Sequence, residues 1–111
     1  MKIKEQDTYT VLEDEYNDVA NFASYLNKKI PQAFKNENIV VNLLKYNNLS
    51  QDEILLFLPL SNTHRSQKKS LVFVNKSITI DEIPDEIVVV PTLQEAGDII
   101  EMEEIERQLG F

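Results

Sequence analysis

Three short apolar runs, separated by segments of helical character, constrain the fold of this chain more than any other feature. The runs are Ile39–Leu44, Leu71–Val74 and Ile87–Val90. A nearly continuous run of branched apolar residues is typical of a strand that is covered on both faces, and such strands form parallel sheets. Helical segments between successive strands supply the crossovers that parallel pairing requires. We therefore expect an α/β fold.

The first third of the chain adds a hairpin and a helix to this sheet. Ile3 and the segment Thr8–Leu12 predict a short hairpin that turns at Gln6-Asp7. Apolar residues then recur at i, i+3, i+4, i+7 and i+11, which predicts a helix beginning near Asn17 or Asp18. Those residues are Val19, Phe22, Ala23, Leu26 and Ile30. Pro31 disfavours helical geometry at the preceding residue, so we expect the helix to end or kink at Ile30.

The middle of the chain contains a short helix and a polar stretch. Ser50 and Glu53 have the spacing of a capping box, and the helix that they start should stop at Pro59. The stretch Leu60–Lys69 is predicted to be a loop or an exposed helical piece, and Ile78–Glu86 to be a turn or a single helical turn.

The end of the chain predicts an acidic helix over residues 92–109. Thr92 and Glu95 have the spacing of a second capping box, and Gly110 is expected to end the helix. Together these elements predict a mixed, mostly parallel sheet of about five strands with three to four helices, in one domain that spans residues 1–111.

Composition excludes several classes of function. The net charge of −8 argues against a nucleic-acid or anionic-membrane partner, and the lack of Cys excludes thiolate catalysis and Cys-based metal sites. Gly97 and Gly110 are the only glycines, so phosphate-cradling loops are absent and we expect no cofactor. No apolar run approaches the length of a membrane span and no secretory signal is visible, so the cytoplasm is the expected location.

The strand-end phrase Val88-Val89-Val90 followed by Pro91-Thr92-Leu93-Gln94-Glu95-Ala96 resembles the STAS domain of anti-sigma factor antagonists. In that family the last helix starts with the pattern Pro-Thr-x-x-Glu-Ala. A strand like Ile39–Leu44 is followed there by a loop that opens a helix, and then by another strand. The resemblance implies a STAS-like fold and a non-enzymatic regulatory module whose partner is another protein, such as a kinase-type anti-sigma factor.

The chain departs from that family at its phosphorylation motif. The family's Asp-Ser-Ser-Gly falls on Ser50-Gln51-Asp52-Glu53, so the acceptor serine is replaced by Gln51 and the glycine by Glu53. The conventional phospho-serine switch is therefore expected to be lost, unless Ser50 replaces the acceptor one position early. The resemblance places the partner-facing surface on Asn48, Ser50, Gln51, Asp52 and Glu53.

The tail, residues 102–111, resembles the ends of short bacterial proteins that carry a ribonuclease Z name. True ribonuclease Z is a larger metallo-hydrolase that binds its metals through a His-x-His-x-Asp-His cluster. This chain has one histidine, His64. The residues therefore do not support that chemistry, and we expect no enzyme of that type and no metal site.

The segment around His64 leaves a second class of function open. His64 could act as a base with Ser61 or Ser66 in a small enzyme or ligand-binding domain, although no nucleophile elbow or glycine turn is present. The plainer interpretation is a solvated loop histidine.

The acidic final helix indicates contact with another protein. Residues 92–111 hold six acidic groups and one basic group, which is −5 of the total charge of −8. An acidic helical face can bind a basic partner, or the Arg65–Lys69 stretch of a second copy in a homodimer. The residues proposed for such contact are Glu103, Glu104, Leu109 and Phe111.

Overall fold

The computed structural model describes residues 1–110. In this part of the chain five strands, four α-helices and one short 3₁₀ turn follow one another. The elements are β1 (Lys2–Glu5), β2 (Thr10–Glu13), α1 (Val19–Ala33), β3 (Ile39–Asn42), α2 (Gln51–Leu55), α3 (Leu58–Ser66), β4 (Leu71–Val74), the 3₁₀ turn (Ile80–Glu82), β5 (Val88–Val90) and α4 (Leu93–Gln108).

The sheet has the strand order β1-β2-β3-β4-β5, the same as the order along the chain. β1 is antiparallel to β2, and β2 through β5 are all parallel. The prediction of an α/β fold with a mixed, mostly parallel sheet is confirmed. β4 has the predicted limits, and the limits of β3 and β5 differ from the predicted ones by two residues and one residue. For example, β3 ends at Asn42, whose side chain accepts a hydrogen bond from the backbone N–H of Leu44 and so starts a turn.

Successive residues of the central strands point to opposite faces, and each face has its own core. One face holds the larger core, in which Phe57 packs against Phe22 and Phe73 with ring centroids 6.4 and 5.1 Å away. The other face holds a smaller core under α4, made by Val40, Val72, Val74, Val90, Ala96 and Ile100.

The starts of α2 and α4 follow the predicted capping chemistry, and α1 starts directly after Asp18, where a helix start was predicted. Asp18 accepts a hydrogen bond from the N–H of Asn21, and Ser50 forms the complete capping box with Glu53. For Thr92 the structure gives the hydroxyl half of the box, in which its side chain accepts from the N–H of Glu95. At the other end of α4, Gly110 has a φ of +86°, which L side chains rarely adopt.

The helix does not end at Ile30, which was one of the two alternatives expected before Pro31. α1 continues through Pro31 to Ala33, and the N–H of Phe34 still donates to the carbonyl of Ile30. Pro31 lies in the last turn, where the ring removes one hydrogen bond and the buried Ile30 keeps its place in the core.

For the stretch Leu60–Lys69 the helical alternative is confirmed as far as Ser66, but the expectation that this piece is exposed is wrong. Its residues up to Ser66 belong to α3, whose first turn holds Pro59, and Leu60, Ser61 and His64 are buried. His64 is 2% exposed, so it is neither in a loop nor solvated. Its side of the helix packs on the larger core because Phe57, Leu60 and His64 are spaced by three and four residues.

Candidate functional site

The carboxyl ends of β2, β3, β4 and β5 meet at one edge of the sheet, which we call the carboxyl edge. Asp14, the loop from Leu43 to Ser50, and Asn75 lie there, directly after their strands. Ligands of open α/β sheets bind outside the carboxyl ends of the strands, because loops of different connections converge there. The strands here lie in chain order, without the reversal at which such ligand crevices form, so this edge is the candidate site because of the loop contacts and exposed side chains that it carries.

Asn75 holds the loops of this edge together. It is 4% exposed, and its amide nitrogen donates to the carbonyls of Leu43 and Tyr46 at 2.8 and 2.9 Å. Its amide oxygen accepts from the N–H groups of Ser77 and Ile78 at 2.8 and 3.1 Å. One buried side chain thus fixes the backbone of two neighbouring loops.

A second set of contacts joins the same loop to the end of β2. The Tyr46 hydroxyl donates to the buried Asp14 carboxylate at 2.5 Å, and Lys45 Nζ donates to the carbonyls of Asp14 and Tyr16 at 3.0 and 2.6 Å. Burial, and then the Asp14 carboxylate, raise the pKa of the Tyr46 hydroxyl well above its usual range. Tyr46 therefore stays protonated and acts as a donor.

The segment from Asn48 to Glu53 follows this fixed loop. Leu49 is buried and its N–H donates to the Ser77 hydroxyl at 3.0 Å, whereas Asn48, Ser50 and Asp52 are exposed. The Ser50 hydroxyl accepts from the Glu53 N–H at 3.1 Å, and Glu53 accepts from the Ser50 N–H at 2.9 Å. Both groups are thus used for helix initiation.

Gln51 links α2 to the 3₁₀ turn, because its side-chain amide donates to the carbonyl of Glu82. An open groove of 320 Å³ lies at the same edge, lined by Leu44, Tyr46, Asn47, Lys76 and Ser77. We name the segment 47–52 beside this groove, whose residues are exposed apart from the buried Leu49, the carboxyl-edge surface.

Glu103 and Glu104 lie at the opposite end of the sheet, the amino edge, where the parallel strands begin. Glu103 pairs with Arg65 at 3.3 Å and accepts from the Ser70 hydroxyl. Glu104 accepts from Arg107 and from Asn38, which directly precedes β3. The hydrogen bond from Arg107, followed by that from Asn38, lowers the pKa of the Glu104 carboxyl. Both carboxylates thus have partners within the chain.

Leu109 is 67% exposed at the end of α4, and Phe111 lies outside the described residues. The residues that we proposed for partner contact therefore separate into two groups. Asn48, Ser50, Gln51, Asp52 and Glu53 lie at the carboxyl edge, whereas Glu103, Glu104 and Leu109 lie at or near the amino edge.

Arg65, in the last turn of α3, makes its contacts within the same chain. Arg65, which pairs with Glu103, also donates to the carbonyl of Leu71 at 3.0 Å. The homodimer hypothesis pairs the acidic helix of one copy with the basic stretch of another. At Arg65 this pairing is instead formed within one copy.

His64 has a structural environment. Its Nε2 lies 2.6 Å from the Glu37 carbonyl oxygen, and burial lowers the pKa of its ring. The hydroxyls of Ser61 and Ser66 donate to the carbonyls of Glu86 and Thr63. His64, Ser61 and Ser66, the side chains considered for catalysis, are thus each hydrogen-bonded to a backbone carbonyl.

Sequence reasoning missed Tyr46, Asn75 and Ser77, which fix the carboxyl edge. Their position was the available signal, since Asn75 directly follows an apolar run, Ser77 lies two residues later, and Tyr46 closely follows another run. Polar residues at such positions converge when the strands are parallel.

Within residues 1–110 no three His, Asp or Glu side chains are grouped so that they could hold a metal ion. None of the helices in this described range is both long and apolar enough to cross a bilayer. No protein-family model matches the chain, and no curated protein matches it in sequence.

Proposed function

We propose that this chain is a cytoplasmic, non-enzymatic regulatory module that binds another protein through the carboxyl-edge surface. The proposal follows the resemblance to STAS domains of bacterial anti-sigma factor antagonists, which implies an anti-sigma factor-type kinase as the partner. The resemblance includes the order of elements and the residues Pro91–Ala96.

The observation that carries this proposal is that exposed side chains stand on a fixed backbone. Asn75 and Ser77 form hydrogen bonds to the backbone of the loop, and the capping box fixes the start of α2. The side chains of Asn48 and Asp52 remain exposed. A surface that is already ordered loses less conformational entropy on binding, so more of the contact energy appears as affinity.

The same geometry supports a module without the conventional phospho-serine switch. Gln51 occupies the position of the family's acceptor serine, and its amide is bound to the Glu82 carbonyl. The hydroxyl of Ser50, the neighbouring serine, accepts the Glu53 N–H as a helix cap. A phosphate on Ser50 would have to replace that contact.

Affinity capture from native cell extract tests the binding surface, with the wild type, Asn48→Arg and Asn62→Arg as baits. Both asparagines are exposed, but Asn62 lies on α3, so the pair matches residue type and added charge at two places. We expect one specific protein to be recovered with the wild type and Asn62→Arg and lost with Asn48→Arg. Equal recovery with all three baits, or no recovery above background with the wild type, would contradict the proposal.

The absence of the switch has its own test. The chain is incubated with the captured partner and MgATP, and its intact mass is measured. We expect an unchanged mass. Addition of a phosphate that is lost in Ser50→Ala would show that the neighbouring serine has taken over the acceptor role.

A further inference from the structure

The outer side of α4 carries an apolar stripe that faces away from the core. Met102, Ile105 and Leu109 are 53, 56 and 67% exposed. Their spacing of i, i+3 and i+7 places them along one face of the helix, and that face is opposite to the buried Ala96 and Ile100. α4 is therefore apolar on two opposite sides, only one of which packs on the sheet.

The stripe is long enough to seat another helix. Met102 and Leu109 are seven residues apart, which corresponds to about 10 Å, or two turns. Single exposed apolar residues are ordinary on protein surfaces. Three of them in register on one helix face match the spacing by which helices pack in a groove or against another helix.

Charges around the stripe are acidic. Glu101 and Glu106 are exposed on its two sides, and exposed Asp98 lies one turn before Met102. Arg107 is the single basic residue of the segment 92–111, and it is turned inward, where it donates to Ser70 and Glu104. The border of the stripe thus has no compensating positive charge from its own helix.

We propose that the outer face of α4, defined by Met102, Ile105 and Leu109, binds an amphipathic helix of another protein whose apolar face is bordered by Lys or Arg. The apolar side chains of that helix would cover the stripe, and its cations would pair with Asp98, Glu101 and Glu106. A second copy of this chain is a poorer occupant, because pairing two α4 helices through this face would bring like charges together.

This inference goes beyond the proposed function, which uses the carboxyl-edge surface. A basic helix on α4 and a partner on residues 47–52 would occupy different parts of the molecule, so one module could hold two proteins. Asn48→Arg separates the two proposals, because it should leave binding to α4 unchanged.

The test uses a synthetic Leu/Lys amphipathic peptide of about 14 residues, or four helical turns, with a Leu/Glu peptide of the same apolar pattern as control. Fluorescence anisotropy measures binding to the full chain. We expect the Leu/Lys peptide to bind and the Leu/Glu peptide not to bind. Ile105→Ser should weaken binding by about tenfold, as loss of a central apolar contact does. Ile3→Ser, which removes an apolar residue of similar exposure, 51%, from β1, should leave the affinity unchanged.

A charge variant gives an independent result that does not depend on the apolar residues. Glu101→Gln with Glu106→Gln should weaken binding of the Leu/Lys peptide, whereas Glu5→Gln with Glu86→Gln, two exposed carboxylates elsewhere, should not. Circular dichroism confirms that each variant is folded.

Several results would overturn the proposal. Equal loss of affinity in Ile105→Ser and Ile3→Ser would show that the peptide binds without using the stripe. So would amide chemical-shift changes confined to residues 47–52. A wild-type dimer in sedimentation that Ile105→Ser dissociates would identify a second copy as the occupant. Flotation with phosphatidylcholine vesicles that Ile105→Ser abolishes would identify a lipid surface instead.

Discussion

Asn75 and Asn38 are buried asparagines at the two edges of the same sheet, and their side chains make five and four hydrogen bonds, respectively, with different kinds of partner. The partners of Asn75 are backbone groups of two loops and the Ser77 hydroxyl. Asn38 bonds to the backbone of Thr8 and Ser70, and also to Glu104 and Arg107 of α4. At the carboxyl edge Asn75 therefore fixes the loop backbone beside the exposed Asn48 and Asp52, whereas at the amino edge Asn38 binds the charged side chains of α4.

This difference decides which charges are available to a partner. Glu103 and Glu104 belong to the most acidic segment of the sequence, yet their carboxylates are bound by Arg65, Ser70, Asn38 and Arg107. Asp52 is exposed on a short helix whose start is fixed. Charge density along a sequence thus does not indicate which carboxylates remain free.

Replacing the two asparagines should give the largest effects. Asn75→Ala and Asn38→Ala should each lower the free energy of unfolding by about 3 kcal/mol, because several bonds are lost and buried backbone groups are left without partners. Urea denaturation measures both values. Asn75→Ala should also weaken binding of the captured partner, and Asn38→Ala should not. Loss of binding in both variants to the same extent would remove the distinction between the edges.

Neutralising one carboxylate at each edge should lower stability by less than the asparagine replacements do, and by more at the amino edge than at the carboxyl edge. Glu103→Gln should cost about 1 to 2 kcal/mol of stability, because charge-assisted bonds to Arg65 and Ser70 weaken. Asp52→Asn should change stability by less than about 0.5 kcal/mol, as exposed substitutions usually do. Thermal unfolding of the two variants at one ionic strength compares them. A larger cost for Asp52→Asn would contradict the assignment of free and bound carboxylates.

Removing the Ser50 hydroxyl should cost about 1 kcal/mol, the usual value for loss of a helix N-cap. Ser50→Asp is the matched control, since its carboxylate can accept the same Glu53 N–H. Urea unfolding should therefore find Ser50→Asp close to the wild type and Ser50→Ala less stable. Equal stability of all three would mean that the cap contributes nothing.

Low pH and high pH should each reduce the stability of the chain, but through different residues. Burial lowers the pKa of His64 below its ordinary 6.5, so its contribution to stability is complete above that pH and falls as the pH drops toward the folded pKa. Burial and Asp14 raise the pKa of Tyr46, so its contribution is complete below pH 10.0 and falls as the pH rises further. An NMR titration of the His64 ring and a comparison of Tyr46→Phe with wild type above pH 10.0 check the two directions. A His64 midpoint above 6.5 would contradict the burial of its ring.

Most of the fold could be predicted from local patterns. The three apolar runs, the stripe of α1 and the capping residues Asp18, Ser50 and Thr92 each depend on neighbours a few positions away, and such short-range chemistry is legible in a sequence. The sequential strand order was not predictable in this way, since parallel strands in other orders produce the same runs.

The candidate site was predicted in part. The exposed start of α2 follows from the capping box, but the fixing of its loop by Asn75 depends on a contact 32 residues away. The burial of His64 was missed because its sequence neighbours are polar, although its spacing from Phe57 and Leu60 is helical. The separation of Glu103 from Asp52 to opposite edges depends on the direction in which α4 runs back along the sheet.

The most direct measurement is an amide chemical-shift map of the ¹⁵N-labelled chain bound to the partner recovered with the wild-type bait. We expect the amides of residues 47–52 to shift most, and those of residues 103–107 at the amino edge to keep their positions. Shifts that are largest at residues 103–107, with residues 47–52 unchanged, would contradict the proposal that the carboxyl edge is the surface that binds.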